Sequence, residues 1–442
     1  MREADRIVFG SHILTMDEQE RIIDDGAVVI QGENIIDLGS RGEIEERYVA
    51  KETIDGSGCL VMPGLINGHT HAAMTCFRGL ADDLELMDWL NNYIFPAEAR
   101  FVNREFSYLG TLLACAEMIK SGTTTFCDMY IFEDEIARAA KEAGMRCLLG
   151  EVLFDFPSPN TKTPEEGLAY TEMLIKKWAD DPLVNIVVEP HALYTCSDSL
   201  IRDAKILADR YNVPLATHYL ETQTEYRQLV QVYGRSPTYY LNEIGALNDR
   251  FLAFHGVFLP EEDIRLFADK GCSVIHNPES NMKLASGVAP VPDMLALGVT
   301  VGLGTDGCAS NNNLDMFQEM DSAAKLHKVH RLDPTVMDAP TVVKMATRNG
   351  ARALGMAGLV GQIKPGMKAD LIMVDFDKPH LTPLYNLRSH LVYAVNGADV
   401  KTALINGKVV MRDRQLLTID EQAVMENVNR IAVEIRNSLK VR

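Results

Sequence analysis

Two histidines one residue apart, His69 and His71, stand in the stretch NGHTHAAMTCFRG directly after an apolar run. In an extended strand, residues i and i+2 project from the same face, so both imidazoles would point to one side. Further chemistry-bearing residues recur at the ends of other apolar runs. They are His191, then His218 followed by Glu221 in THYLET, then His255, then His276 with Asn277, and finally Asp306. Six of the eleven histidines sit at such ends. His69, His71, His218 and Asp306 together make a His₃Asp set. Such a set suits zinc or another divalent first-row metal with one position left for water. Glu221 lies just past His218, where it can move a proton rather than bind metal. His255 can orient or help deprotonate the water. Each residue alone also has an ordinary structural reading. A lone buried histidine is usually a hydrogen-bonded core residue, and Glu221 suits a solvated helix start. The joint pattern, one group per strand end, favours a site. His276 stands between a role at the site and packing; His12, His327, His330, His380 and His390 fit no such end and read as surface or structural.

The elements that must position these groups are eight apolar runs: LVMPGLI (60–66), TTTFCDM (123–129), RCLLGEVL (146–153), VNIVVEP (184–190), VPLATH (213–218), FLAFHG (251–256), CSVIHN (272–277) and TVGLGTD (300–306). Near-continuous apolar runs of this length suit parallel strands covered on both faces. Helical patterns separate them; REFSYLGTLLACAEMIKSG spaces apolar residues near the helical period and stops at Gly122. Eight such units predict an α/β chain with a (β/α)₈ barrel over residues 61–364, with active-site groups at the C-terminal strand ends. A doubly wound sheet is the competing architecture, but no G-x-G-x-x-G follows the first run. The flanks, 1–60 and 365–442, read as strands and hairpins. Their turn signals lie at Gly32-Glu33-Asn34 and Asn406-Gly407.

Composition narrows the function. The chain has 442 residues and a formal net charge of -19. With no basic stripe, this acidity argues against nucleic acid as a partner. No apolar run reaches the length of a membrane span, and the N-terminus carries no secretory h-region. Eight scattered cysteines without a C-x-x-C pair read as reduced thiols of a cytoplasmic protein. Metal binding would therefore fall to His and carboxylate. The acidic surface is compatible with a monomer or a symmetric homo-oligomer.

The motifs PGLINGHTH, THYLET, AFHGV, HNPESNMKLASGVAPV, GLGTDGCASNNNLDMF and IKPGMKADLIMVD resemble the amidohydrolase superfamily, in its deaminase and chlorohydrolase branch. The resemblance covers nearly the whole chain. It implies a distorted (β/α)₈ TIM barrel joined to a small β-sandwich built from both terminal segments. It implies one divalent metal per subunit, with zinc the first choice by ligand type, held by His69, His71, His218 and Asp306. The stretch TCFRGLADDLELMDWLNNYIFPAEAR is similar to members that deaminate S-adenosylhomocysteine and 5′-methylthioadenosine. The implied reaction is hydrolytic loss of the C6 amine from an adenine nucleoside, adenosine and 5′-deoxyadenosine included. Glu221, His255 and Asp306 are the implied catalytic groups. Glu98 would hold the ribose hydroxyls, Trp89 and His191 would touch substrate along with Glu221, and Ser310 would meet the purine. On sequence alone Glu98 reads equally as an exposed helix acid beside Arg100. Two features depart from family patterns. No arginine follows the third run to reach a substrate tail, and the fourth run lacks the lysine that bridges two metals in binuclear relatives. The alternative is another hydrolase of the branch: a guanine or cytosine deaminase, or a triazine-type chlorohydrolase.

Overall fold

A computed structural model describes residues 1–439. All eight runs form parallel strands: Leu65–Thr70, Thr123–Tyr130, Arg146–Leu153, Val184–Ile186 continued by Glu189–Pro190, Leu215–Tyr219, Phe251–His255, Ser273–His276 and Thr300–Leu303. They hydrogen-bond in two arcs of four, the first four strands and the last four. Bridges Val188–Leu215 and Ala192–His218 join the arcs at one seam. At the other seam the Asp306 amide donates to the His69 carbonyl at 2.9 Å. The barrel is thus distorted where it closes, and site residues stand at both seams. Its strands are buried on both faces because helices cover the outside. One such helix is Asp198–Tyr211. The Ser197 hydroxyl caps its first turn and Asn212 ends it in the left-handed conformation; Leu200, Ile201, Ala204, Leu207 and Ala208 form its buried stripe.

The first run is two strands, not one. Cys59–Pro63 pairs antiparallel with Leu371–Asp375 in a terminal sheet, and only Leu65–Thr70 enters the barrel. The break falls at Gly64. A β-carbon there would lie 2.1 Å from the Thr124 hydroxyl, so the chain crosses from sheet to barrel only with glycine.

Nine strands from both chain ends make one continuous sheet. Its central strand, Arg2–Leu14, pairs antiparallel with Ile22–Gln31 and parallel with both Tyr48–Ile54 and Cys59–Pro63. Asn34–Ser40 and then, from the far end, Val400–Ile405, Lys408–Arg412 and Gln415–Leu416 complete it. The sheet folds back on itself as a sandwich does. Ile35 and Met367 bond across the fold at 2.8 Å, and Val8, Ile30, Val61, Leu371 and Leu404 fill the space between. Asn406 and Gly407, with φ of 51° and 75°, make the predicted hairpin turn. A buried ion pair fastens this sheet to the barrel: Arg146 Nε and Nη2 donate to Asp370 at 2.8 and 3.2 Å. Beyond the strands the chain forms a helix, Glu421–Leu439, that packs on Arg104–Lys120; Lys120 pairs with Glu421 at 2.7 Å and Arg430 with Glu105 at 2.6 Å.

Candidate active site

The C-terminal ends of the barrel strands bring His69, His71, His218 and Asp306 together. Ring centroids of the three histidines lie 4.9 to 5.3 Å apart. Asp306 Oδ1 stands 3.1 Å from His71 Nε2 and 3.4 Å from His69 Nε2. The tautomers follow from the outer partners. His218 Nδ1 donates to the His191 carbonyl at 2.9 Å and His71 Nδ1 to the Met129 carbonyl. Their Nε2 lone pairs are therefore left for the centre. His69 is fully buried against Phe254, at 3.9 Å between ring centroids, and neither of its nitrogens makes a hydrogen bond. Two orphaned nitrogens in an apolar wall are costly unless a further group meets them. Burial pushes His69 down to about 3 and His218 well below the usual histidine range, keeping both neutral. Burial also opposes charge on His71, but Asp306 outweighs it and raises His71 to about 9. The donor set thus draws positive charge to one point beside Asp306: His69 and His218 are neutral, and a divalent cation would take the place of the His71 proton.

Glu221 follows His218 past Leu220, whose φ of 51° turns the chain. Its Oε2 lies 3.8 Å from His255 Nε2, and its Oε1 accepts from the Ser286 hydroxyl at 3.2 Å. Burial raises its pKa, helped by Asp306 and opposed by His255. His255 and Asp306 themselves take left-handed φ values of 71° and 63°. Such backbone costs about 1–3 kcal/mol per residue and persists only where the surroundings impose it.

Those surroundings include a segment to which sequence reasoning gave no role. Between Asn277 and Ser286, after the seventh strand, three side chains each hold one site residue. Ser280 donates to Asp306 Oδ2 at 2.7 Å, Asn281 accepts from His255 Nδ1 at 2.9 Å, and Ser286 holds Glu221. The signal was present in HNPESNMKLASG, a polar run following a buried strand. Ser310, which the resemblance would place against the purine, stands at the Asp306 carboxylate. It lies 2% exposed beneath Asp306 and donates to Oδ2 at 2.8 Å. Its hydroxyl is thus engaged with the carboxylate. His276 is buried as well, its Nε2 3.1 Å from that of His327, so His327 is structural and not on the surface. Four carboxylates that sequence reasoning also passed over, Asp128, Glu133, Glu151 and Glu189, are fully buried, with Asp128 beside His71. Asp128 accepts from the Ala72 amide. Burial raises all four, Asp128 and Glu151 to about 7.

A cavity opens over the quartet and is lined by Glu221, His255, Glu98, Trp89 and His191 among others. Glu98 is buried rather than exposed beside Arg100; burial lifts its carboxyl to about 7, against the pull of Tyr130 and His71. Trp89 Nε1 donates to the Ala81 carbonyl at 3.1 Å, and His191 Nδ1 meets the Thr195 hydroxyl at 2.8 Å. Both rings are thereby fixed as walls. Comparison with known proteins matches residues 60–410 to the amidohydrolase family model.

The chain belongs to the amidohydrolase family. This amidohydrolase is 62% identical over 440 residues to the 5-methylthioadenosine/S-adenosylhomocysteine deaminase 1 of Syntrophus aciditrophicus, covering 100% of this chain and 99% of that one. It is 45% identical to the 5'-deoxyadenosine deaminase of Methanosarcina mazei, with 98% of each chain covered. Among solved structures it superposes on a zinc-bound adenosine deaminase from Xanthomonas campestris with a TM-score of 0.97, at 38% identity and 99% coverage of both chains. Triazine hydrolase shares the fold, with a TM-score of 0.89 at 23% identity over 97% of this chain and 99% of that one. No helix among the described residues is long and apolar enough to cross a membrane.

Proposed function

We propose that this amidohydrolase removes the C6 amine of adenine nucleosides by hydrolysis, giving an inosine-type product and ammonia. The carrying observation is one cavity that holds both a proton-moving acid over a cation site and, at its side, a second buried carboxylate able to accept a ribose. His69, His71, His218 and Asp306 would hold one divalent cation: His69, His71 and Asp306 offer ligand atoms to one point, and His218 groups with His69 and His255 beside it; zinc is the proposed ion, by ligand type and by the bound zinc of the Xanthomonas structure. When bound, the cation supplies Lewis acidity that makes a water nucleophile available near neutral pH.

The chain's residues do the rest. Glu221, buried and held by Ser286, takes one proton of the attacking water and delivers it to N1 of the purine; it then moves the remaining proton of the added hydroxyl to the amine, so that the C6–N bond breaks and ammonia leaves as the C6 carbonyl forms. Protonation of N1 is what makes C6 electrophilic enough to be attacked. His255 and Asp306 align the water beneath C6; their fixed partners, Asn281, Ser280 and Ser310, keep them from turning. Glu98 accepts the ribose hydroxyls, and the walls formed by Trp89 and His191 exclude bulk water. Deamination-type relatives at 45–62% identity over almost the whole chain support this reading. All eight cysteines are buried and unpaired, which supports a reducing, cytoplasmic setting.

The test is the ultraviolet change from adenine to hypoxanthine with metal-loaded protein, checked by released ammonia. S-adenosylhomocysteine, 5′-methylthioadenosine, adenosine and free adenine are compared. Nucleosides turn over and the free base does not. Glu221→Gln keeps its metal and loses about 10²–10⁴ in turnover; near-normal activity in that variant removes Glu221 from the proton path.

A further inference from the structure

Outward from the metal residues the cavity changes character. Phe95 lies one helical turn before Glu98 on the helix Phe95–Phe101, so the two share a face. Phe154, just past the third barrel strand, stands 6.2 Å from Phe95 and 4.9 Å from His191 between ring centroids. Phe156 stacks on Phe154 at 4.5 Å, lies 5.8 Å from Phe95, and is 40% exposed. These three rings make a continuous aromatic wall that begins beside Glu98 and ends in solvent. Among the described residues no lysine or arginine lines the cavity. The one cation of the adjoining loop, Lys162, turns its ammonium onto the Ser158 carbonyl at 2.8 Å. The loop's acid, Asp155, is engaged with Ser197.

We propose that this wall makes the enzyme selective for adenine nucleosides with an apolar 5′-substituent, such as 5′-methylthio or 5′-deoxy, over those ending in an amino-acid zwitterion. The inference rests on the reading that Glu98 holds the ribose hydroxyls. A ribose so held presents its 5′ carbon to Phe95, Phe154 and Phe156. A thioether or methyl group gains contact with the rings there. A tail carboxylate gains nothing: it must shed water against ring faces that carry negative potential, with no cation to receive it. Groups left unpaired in this way are rejected far more strongly than a change of size alone.

The experiment measures kcat/KM of the metal-loaded full chain for 5′-methylthioadenosine, 5′-deoxyadenosine, S-adenosylhomocysteine and 5′-butylthioadenosine, whose tail is long but uncharged. Methylthioadenosine is expected to exceed S-adenosylhomocysteine by about tenfold or more, with butylthioadenosine staying close to methylthioadenosine. A smaller gap overturns the inference. So does a butylthio compound as poor as S-adenosylhomocysteine, because length and not charge would then decide. Phe156→Arg, at the exposed end of the wall, is expected to narrow the gap severalfold by raising the S-adenosylhomocysteine value; an unchanged ratio counts against the wall as its origin. Equal turnover of all four nucleosides defeats this inference alone, whereas no turnover of any of them defeats the deaminase reading beneath it.

Discussion

Ser310→Ala separates two roles for one hydroxyl. Asp306 turns Oδ1 toward His69 and His71, and Oδ2 accepts from Ser280 at 2.7 Å and from Ser310 at 2.8 Å. The Ser310 hydroxyl has one proton and a second acceptor, the Gly307 carbonyl, at 3.2 Å; the shorter, charged partner wins. A hydrogen bond to a charged group contributes about 1.5–3 kcal/mol. Loss of an outer partner of a metal ligand costs about 10–100-fold in affinity. At about 1.4 kcal/mol per tenfold, the two ranges coincide. Because Ser280 still holds the same oxygen, Ser310→Ala is expected near the low end, about tenfold, and the Ser280→Ala/Ser310→Ala double variant near about 100-fold. The assay is competition for zinc against a fluorescent chelator, followed by kcat and KM at saturating zinc, where KM should stay at the wild-type value. Unaltered zinc affinity together with a raised KM would refute the positioning argument and return Ser310 to the substrate.

Two further perturbations follow from the burial of charged groups. Glu98, lifted to about 7 by burial, is protonated at pH 6 and cannot accept two hydroxyls. KM for the nucleoside is therefore expected to fall severalfold between pH 6 and 8 in wild type, and Glu98→Gln to have a high KM that does not change with pH. Because the folded pKa is raised above the value of about 4.5 for a free glutamate, its contribution to stability is full below pH 4.5 and lost as pH rises through 7. The thermal midpoint of Glu98→Gln should thus gain on wild type from pH 5 to pH 8; a constant difference would show that Glu98 is ionised throughout. Asp370→Ala leaves Arg146 charged and 1% exposed without its partner. It is expected to lose about 3–5 kcal/mol in urea unfolding with kcat unchanged, since Arg146 opens its strand at the end opposite the site.

The barrel strands and the convergence of His69, His71, His218 and Asp306 were legible because both follow local rules. Apolar runs covered on two faces carry no alternation, and six of the eight lead into a residue too polar for the core that precedes it. Pro63-Gly64 hid a boundary, since a run passing from one sheet into another stays apolar throughout; only the space around Gly64 reveals the change. The C-terminal flank, expected as strands and hairpins, ends instead in the helix Glu421–Leu439, whose Val424, Val428, Ile431 and Ile435 recur at helical spacing and are buried on one stripe. Ser280, Asn281 and Ser286 could not be given roles from sequence. Each acts by pointing at a residue far along the chain, and small polar side chains in loops have many other uses. Glu98 illustrates the same limit: its spacing suits a surface helix, and only the packing of that helix over the barrel mouth buries it.

The terminal sheet also sets an order of events in the life of the chain. Cys59–Pro63 finds its antiparallel neighbour only in Leu371–Asp375, so during synthesis the N-terminal strands wait, with one edge open, until nearly all of the barrel has left the ribosome. Pairings this distant in sequence form late, and an open edge is a template for the wrong partner. A chain cut short before Leu371 would carry every metal ligand and still present that edge, so its yield in the cell would be set by aggregation rather than by chemistry.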